Sequence, residues 1–376
     1  MKIKTITCHN VYNYGATLQA YALQHFLEMQ GNEVEIIDYA PAYHDPLNCW
    51  KIPNNSRVKK YADFFFPIHW AYFIHRKIKL LRTVNKKRLE KFHVFDRTFL
   101  HLTSEKYVTY EQLKNTPPRA DVYIAGSDQI WNYAGNTGLD PAFYLKFGDK
   151  KVRRISYAAS FGLSEIKIDF KETIENLLGG FDAISVREKT GLKILDDLNI
   201  KDGYHVMDPV FLLNRNSWLN IACPMDVSAP YILVYDFFQN DEKIKKMTFF
   251  LSDRYGLKVV SVNDNGKLSY ADLNICDASP QQFLWLIANA KFVVSNSFHA
   301  TAFSIIMRKE FFVYPIPKHN NQSRMVDLLS LVGLQKQYDI TVEDSELSIT
   351  IDWDEVDLKL EKAITFSKQF INRFIS

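Results

Sequence analysis

MKIKTITCHNVYNYGATLQAYALQHFLEMQGNEVEIIDY, residues 1–39, is the stretch whose reading decides the fold class. A short β-type run covers residues 3–7, and a polar loop with one glycine follows over residues 9–16. From residue 17 to 30 apolar side chains recur at helical spacing (Leu18, Tyr21, Ala22, Leu23, Phe26, Leu27), and Gly31 marks the stop. Residues 34–39 form a second β-type run, closed by Pro41. Strand, helix and strand in this order predict a parallel sheet with ligands at the carboxyl ends of its strands.

The same alternation returns downstream. Strands are expected over 121–125, running into Gly126-Ser127-Asp128, and over 154–159, running into Ser160-Phe161-Gly162. A helix over 171–179, a strand over 183–186 and a helix over 188–198 follow. Asp208-Pro209 reads as a break, and residues 214–217 as a hinge into a second unit. That unit repeats the style, with strands expected over 231–235, 258–262, 292–294 and 311–314 and helices over 243–255, 280–290 and 298–307. The tail, 354–374, is amphipathic, with Val356, Leu360, Ile364, Phe370 and Phe374 on one side. The expected architecture is α/β, with two doubly wound Rossmann-like domains facing each other across a cleft. The domains read as 1–214 and 215–353, and the tail as a helix that packs back on the first domain.

One segment departs from this alternation. Residues 62–99 have an aromatic front (Phe64, Phe65, Phe66, Trp70, Tyr72, Phe73) and a basic back. They read as a helical insertion in the first domain. Such a helix suits anionic lipid, or it packs on the first domain with its basic face solvated.

The composition excludes several classes. Of 376 residues, 47% are hydrophobic and 24% charged, which is ordinary for a globular chain and excludes wholesale disorder. Net charge is only +3, so nothing global argues for nucleic acid, although residues 1–119 carry +8 and the remainder −5. Four scattered cysteines without CxxC spacing fit a reducing compartment and no metal cluster. No signal peptide and no run of apolar residues long enough to span a bilayer are read. The expectation is a cytoplasmic protein, with peripheral contact at the inner face of the cytoplasmic membrane left open by segment 62–99.

Candidate chemistry sits at strand ends. In residues 291–307, KFVVSNSFHATAFSIIM, a strand ends in polar residues and a helix begins near Phe298. A helix N-terminus stabilises an anion, and His299 falls in that first turn as a candidate acid or base, or else as a satisfied core histidine. Arg187 lies where a strand passes into a helix, placed to grip phosphate or carboxylate, or to pair with Glu188 at the surface. Asn13 and Tyr14 precede the first helix. Ser127, Asp128, Trp131 and Asn132 follow a strand, with Trp131 as a sugar-stacking face and capping as the ordinary role for Ser127 or Asp128.

Taken together, NYGATLQAYAL, GSDQIWN, SYAASFG, ISVREKTG, DPVFLL and SFHATAFSIIM, in this order over residues 1–335, resemble the polysaccharide pyruvyl transferase family. The resemblance implies a GT-B-like fold. It also implies transfer of pyruvate from phosphoenolpyruvate onto two hydroxyls of a sugar, making a ketal in bacterial capsule or exopolysaccharide biosynthesis. Phosphoenolpyruvate would be the co-substrate, with no further cofactor and no metal. The acceptor would be a sugar or a lipid-linked oligosaccharide. Members typically carry Arg-Leu-His where this chain has Ser297-Phe298-His299; the histidine matches and the arginine does not. Arg187 matches a second family arginine that helps bind the donor. His299 is therefore the expected catalytic residue, and Arg187, Ser297, Phe298 and Arg324 the expected donor site, with Lys318 and His319 as other cations near it. Asn13, Tyr14, Ser127, Asp128, Trp131 and Asn132 are the expected acceptor site. A GT-B glycosyltransferase using a nucleotide sugar, and a relative without catalysis, stay open as alternatives.

Overall fold

The computed structural model describes residues 1–44, 70–72, 74–75, 85–237, 241–263, 266–316, 323–343 and 350–375. Lys318 and His319, and most of the aromatic and basic stretch between 62 and 84, lie outside the described residues.

Two parallel sheets carry the fold. The first holds β1 (Lys2–Ile6), β2 (Glu33–Tyr39), β3 (Leu102–Tyr107), β4 (Val122–Ala125) and β5 (Arg153–Ser156), in the order β3-β2-β1-β4-β5. A paired β6 (Ile184–Val186) and β7 (Gly203–His205) continue it past β5, joined by Ser156 N–H to Ala183 C=O at 3.0 Å and Ala159 N–H to Ser185 C=O at 3.2 Å. The second holds β8 (Tyr231–Tyr235), β9 (Lys258–Val262), β10 (Leu273–Ile275), β11 (Phe292–Ser295) and β12 (Glu310–Val313), in the order β10-β9-β8-β11-β12. Each sheet puts its first strand at the centre and reverses its winding there, which opens a crevice at the carboxyl edge. Strands β4 and β8 are buried at every position, as parallel strands covered on both faces must be. This is a GT-B-like α/β architecture of two Rossmann-like units.

The helices are α1 (Tyr14–Met29), α2 (Lys86–Phe99), α3 (Tyr110–Asn115), α4 (Ile168–Leu178), α5 (Lys189–Asp197) and α6 (Arg215–Ile221) in the first half. The second half adds α7 (Glu242–Tyr255), α8 (Pro280–Asn289), α9 (Phe298–Ile306), α10 (Ser323–Val332) and α11 (Trp353–Ile375). Helix α1 begins three residues before its apolar spacing suggests, because the Asn13 side chain accepts from Gly15 N–H and Ala16 N–H and caps it there. It ends at Met29 with Gln30 as its C-cap, and Gly31 turns the chain away at φ +82°. Nearly all of α1 is buried, since it is wedged between the two units rather than lying on one face of a sheet.

Two sequence expectations are corrected here. The described end of the supposed insertion, Lys86–Phe99, is the crossover helix that joins β2 to its parallel neighbour β3, so it belongs to the α/β pattern. Its basic face is also not simply solvated. Arg88 is buried against the rings of Tyr14 and Phe92, and Lys91 pairs with Asp277 at 3.2 Å. Residues 214–217 are the capped start of α6, which buries Trp218 against Tyr21 and Phe303.

Helix α11 leaves the second sheet, where Ile351 N–H donates to Glu310 Oε2. It ends on the first, where Phe370 packs on Tyr157 and Tyr204 and the Ser367 hydroxyl accepts from Met207 N–H.

Candidate active site

The carboxyl ends of β1, β4, β8, β11 and β12 open on one cleft of about 670 Å³. Cys8, Asn13, Asp128, Gln129 and Asn132 line it from the first unit, and Ser297, Phe298, His299, Tyr314 and Arg324 from the second. Burial pushes the Cys8 thiol up, so it is not poised as a thiolate nucleophile.

At the floor of this region three buried side chains meet. Arg187 follows β6, His299 is the second residue of α9, and Asp208 follows β7 at the cap of a short 3₁₀ turn. Arg187 Nη1 donates to Asp208 Oδ2 at 2.6 Å, and His299 Nε2 lies 3.6 Å from the same oxygen. The Ser127 hydroxyl donates to it as well, at 3.1 Å. Burial alone would raise the Asp208 carboxyl; the adjoining His299 and the Arg187 guanidinium outweigh it and hold it below the usual carboxylate range. Burial would likewise lower Arg187, but Asp208, Asp128 and Glu188 keep it above its ordinary value. Arg187 Nε and Nη2 and His299 Nε2 are buried and have no hydrogen-bond partner among the described residues. Arg187 Nη2 and His299 Nε2 each face a carboxylate beyond hydrogen-bond distance, Asp128 at 3.8 Å and Asp208 at 3.6 Å.

Phe298 organises the cations above that floor. Its ring has the Arg187 guanidinium at 4.7 Å and the Arg324 guanidinium, from α10, at 5.7 Å. Arg324 is pulled down to about 10, by burial first and by the like charge of Arg187 second. Two neighbouring guanidiniums of this kind favour an anion between them. Ser297, standing where the resemblance leads one to expect arginine, is the N-cap of α9: its hydroxyl accepts from Ala300 N–H at 3.3 Å. The second cation of the region is therefore Arg324, contributed by a helix the sequence reading did not find.

His299 is placed by the first unit as much as by its own helix. A Cβ on Gly15 would fall 1.9 Å from His299 Nδ1, so only glycine lets α1 approach the imidazole this closely.

Of the expected acceptor residues, Asn13, Asp128 and Asn132 line the cleft. Three others do not. Tyr14 is buried between the units, stacked on Phe283 at 4.4 Å with its hydroxyl donating to Ala278 C=O. Ser127 lies beneath the site, buried, as the Asp208 partner. Trp131 is fully buried, stacked on Tyr144 with Nε1–H donating to Phe143 C=O, and has no face to offer a sugar. Strand-end position alone does not separate a cleft wall from the core below it. Asp208 and Gly15 were missed as site residues. The signal for Asp208 was its place before a proline, where the chain reads as a break.

Comparison with known proteins bears on the fold and on the family. The UDP-L-rhamnose complex of UGT89C1 from Arabidopsis thaliana is similar in structure, at TM-score 0.51 and 12% identity, covering 100% of this chain and 98% of that one. The S. aureus MnaA–UDP co-structure reaches TM-score 0.49 at 12% identity, covering 96% and 88%. At such identities the likeness concerns the fold. No curated protein matches the sequence. The family model for polysaccharide pyruvyl transferase matches residues 13–316, from the cap of α1 through β12 and so across both sheets and every residue of the buried Arg187–Asp208–His299 cluster. The chain belongs to the polysaccharide pyruvyl transferase family.

Proposed function

We propose that this protein moves the pyruvyl group of phosphoenolpyruvate onto two hydroxyls of a sugar, free or lipid-linked, as a ketal. One observation carries the reading: the guanidiniums of Arg187 and Arg324 both stand on the ring of Phe298 beside His299, and Arg324, Phe298 and His299 line a cleft of about 670 Å³ while Arg187 is buried. Phosphoenolpyruvate carries both a phosphate and a carboxylate, and paired arginines match planar anions of that kind. The N-terminus of α9 adds partial positive charge beside them.

The balance of the reaction assigns roles. Phosphoenolpyruvate C3 must gain one proton, which makes C2 electrophilic. The first sugar hydroxyl adds to C2, the C2–O bond to phosphate breaks, and the second hydroxyl takes its place. Of the two hydroxyl protons released, one replaces that gained by C3 and one leaves with phosphate. His299, in its protonated form, is the group suited to supply C3, and its neutral form to receive a hydroxyl proton. Asp208 is a positioning residue: it orients Arg187 and faces His299 without reaching the cleft wall. Asn13, Asp128 and Asn132 are suited to hold the acceptor.

The test is calorimetric titration with phosphoenolpyruvate, with UDP-galactose as control. Saturable phosphoenolpyruvate binding that weakens in Arg187→Ala and in Arg324→Ala is expected. Nucleotide-sugar binding without phosphoenolpyruvate binding would reject the reading in favour of glycosyl transfer. With an acceptor in hand, His299→Ala should lower turnover by about 10²–10⁴-fold while phosphoenolpyruvate still binds.

A further inference from the structure

We propose that a second cavity, between the carboxyl end of β2 and helix α2, is a binding site for a neutral saccharide segment, held by His9, Asp38, His93 and Asp96. The inference rests on the acceptor being a sugar and assigns a place to the part of it that does not react.

The cavity encloses about 750 Å³, enough for more than one sugar ring. It shares a wall with the catalytic cleft. In the loop after β1, Cys8, Val11 and Asn13 line the cleft, while His9, Asn10 and Tyr12 line the cavity. A chain of sugars with one residue in the cleft therefore has its neighbours within reach of this wall.

Two groups point to a ligand. His9 is 2% exposed, yet its Nε2 has no hydrogen-bond partner among the described residues; the Asp38 carboxylate is 3.5 Å away. Asp96 Oδ1, on α2, is also buried without a partner. Burial pushes the Asp96 carboxyl up to about 6. Buried polar groups left unmet are costly, and adjacent hydroxyls satisfy both kinds at once by donating to a carboxylate and exchanging a hydrogen bond with an imidazole. Tyr12 and His93 meet edge to face, centroids 5.2 Å apart, and supply an aromatic wall for the C–H face of a pyranose.

Other ligand classes fit less well. Asp38 and Asp96 inside the cavity would repel an anion, and the two cations among its lining residues, Arg97 and Lys106, are exposed. For a metal ion, no group of three ligating side chains converges among the described residues.

The experiment uses the full chain. Fluorescently labelled protein is applied to an array of neutral and anionic glycans, and the best neutral glycan is then titrated into wild type, Asp96→Asn and His93→Ala. His93 is exposed, so that variant keeps the test meaningful if Asp96→Asn folds poorly. Expected is a neutral glycan whose affinity falls by about tenfold in either variant, the size of one lost charge-assisted hydrogen bond or ring contact. Phosphoenolpyruvate affinity should stay level in both. Retention of no glycan, or of anionic glycans alone, overturns the site; so does equal glycan affinity in wild type and variants. Glycan binding lost in the variants, with no phosphoenolpyruvate binding in wild type, would uphold the saccharide site while rejecting pyruvyl transfer.

Discussion

Asp208 shows at the residue scale what the site depends on. One carboxylate oxygen receives Arg187 and Ser127 and faces His299, so a single side chain sets the geometry of the floor. Its folded-state pKa is held below the unfolded value, which for Asp is about 3.9. The stability this contributes is therefore fully present above about pH 4 and is lost as pH falls toward the lower folded value. Asp208→Asn should destabilise the protein by about 3–5 kcal/mol at neutral pH, because Arg187 is left buried without its counter-charge. Denaturant melts at pH 7 and pH 3 would check this: the gap between wild type and variant should narrow at pH 3. A gap independent of pH would mean that the charge of Asp208 is not what stabilises the site. At this scale His299 and Arg187 were legible in the sequence, since both stand where a β-type run gives way to a helix. The burial of Tyr14, Ser127 and Trp131 was not, because polar or aromatic identity after a strand is compatible with either side of the cleft wall.

At the scale of elements, α1 and α9 meet end-on at the site, and each carries a side-chain cap, Asn13 and Ser297. Intrinsic propensity alone would favour alanine over Gly15 by about 1 kcal/mol within a helix. Here the added Cβ would collide with the His299 ring. Gly15→Ala is expected to lower turnover far more than phosphoenolpyruvate affinity, and to lower Tm rather than raise it. Steady-state kinetics beside a thermal melt measure both; a variant that is more stable and fully active would show that the imidazole is not held by this contact. Elements with long periodic patterns, such as α1, α7 and α11, were legible. The short pieces β7, β10 and α6 were not, since three to seven residues carry too little periodicity. Strand β3, Leu102–Tyr107, hid for another reason: as the edge of its sheet it carries the polar sequence LTSEKY, with three consecutive exposed positions.

At the scale of the whole molecule, each sheet has a buried core of its own on one side, and the two share a third. One buried cluster runs from Ile3, Leu18 and Phe92 through Trp218 to Phe283, Phe303 and Leu329, with α1 at its centre and α11 strapping the far side. Tyr14 stacked on Phe283 and Lys91 paired with Asp277 add to the same interface. Scanning calorimetry should therefore show one cooperative transition, with calorimetric and van't Hoff enthalpies in agreement. Two resolved transitions would mean that the units unfold independently and that the shared core is weaker than its burial suggests. The sequence by itself determined the parallel α/β class and the division into two similar halves, and it marked Arg187 and His299 as candidates. These follow from local periodicity and from which residue types stand at strand ends, and both are properties of neighbours in the chain. Only the tertiary structure showed that Arg324, one of several candidate cations in the sequence, stands on Phe298 beside Arg187, that Asp208 ties Arg187 to His299, and that Gly15 from the other unit lies against the imidazole. Those contacts join residues about twenty to nearly three hundred positions apart, and they exist only because the strands' carboxyl ends converge and a shared core holds the two crevices face to face.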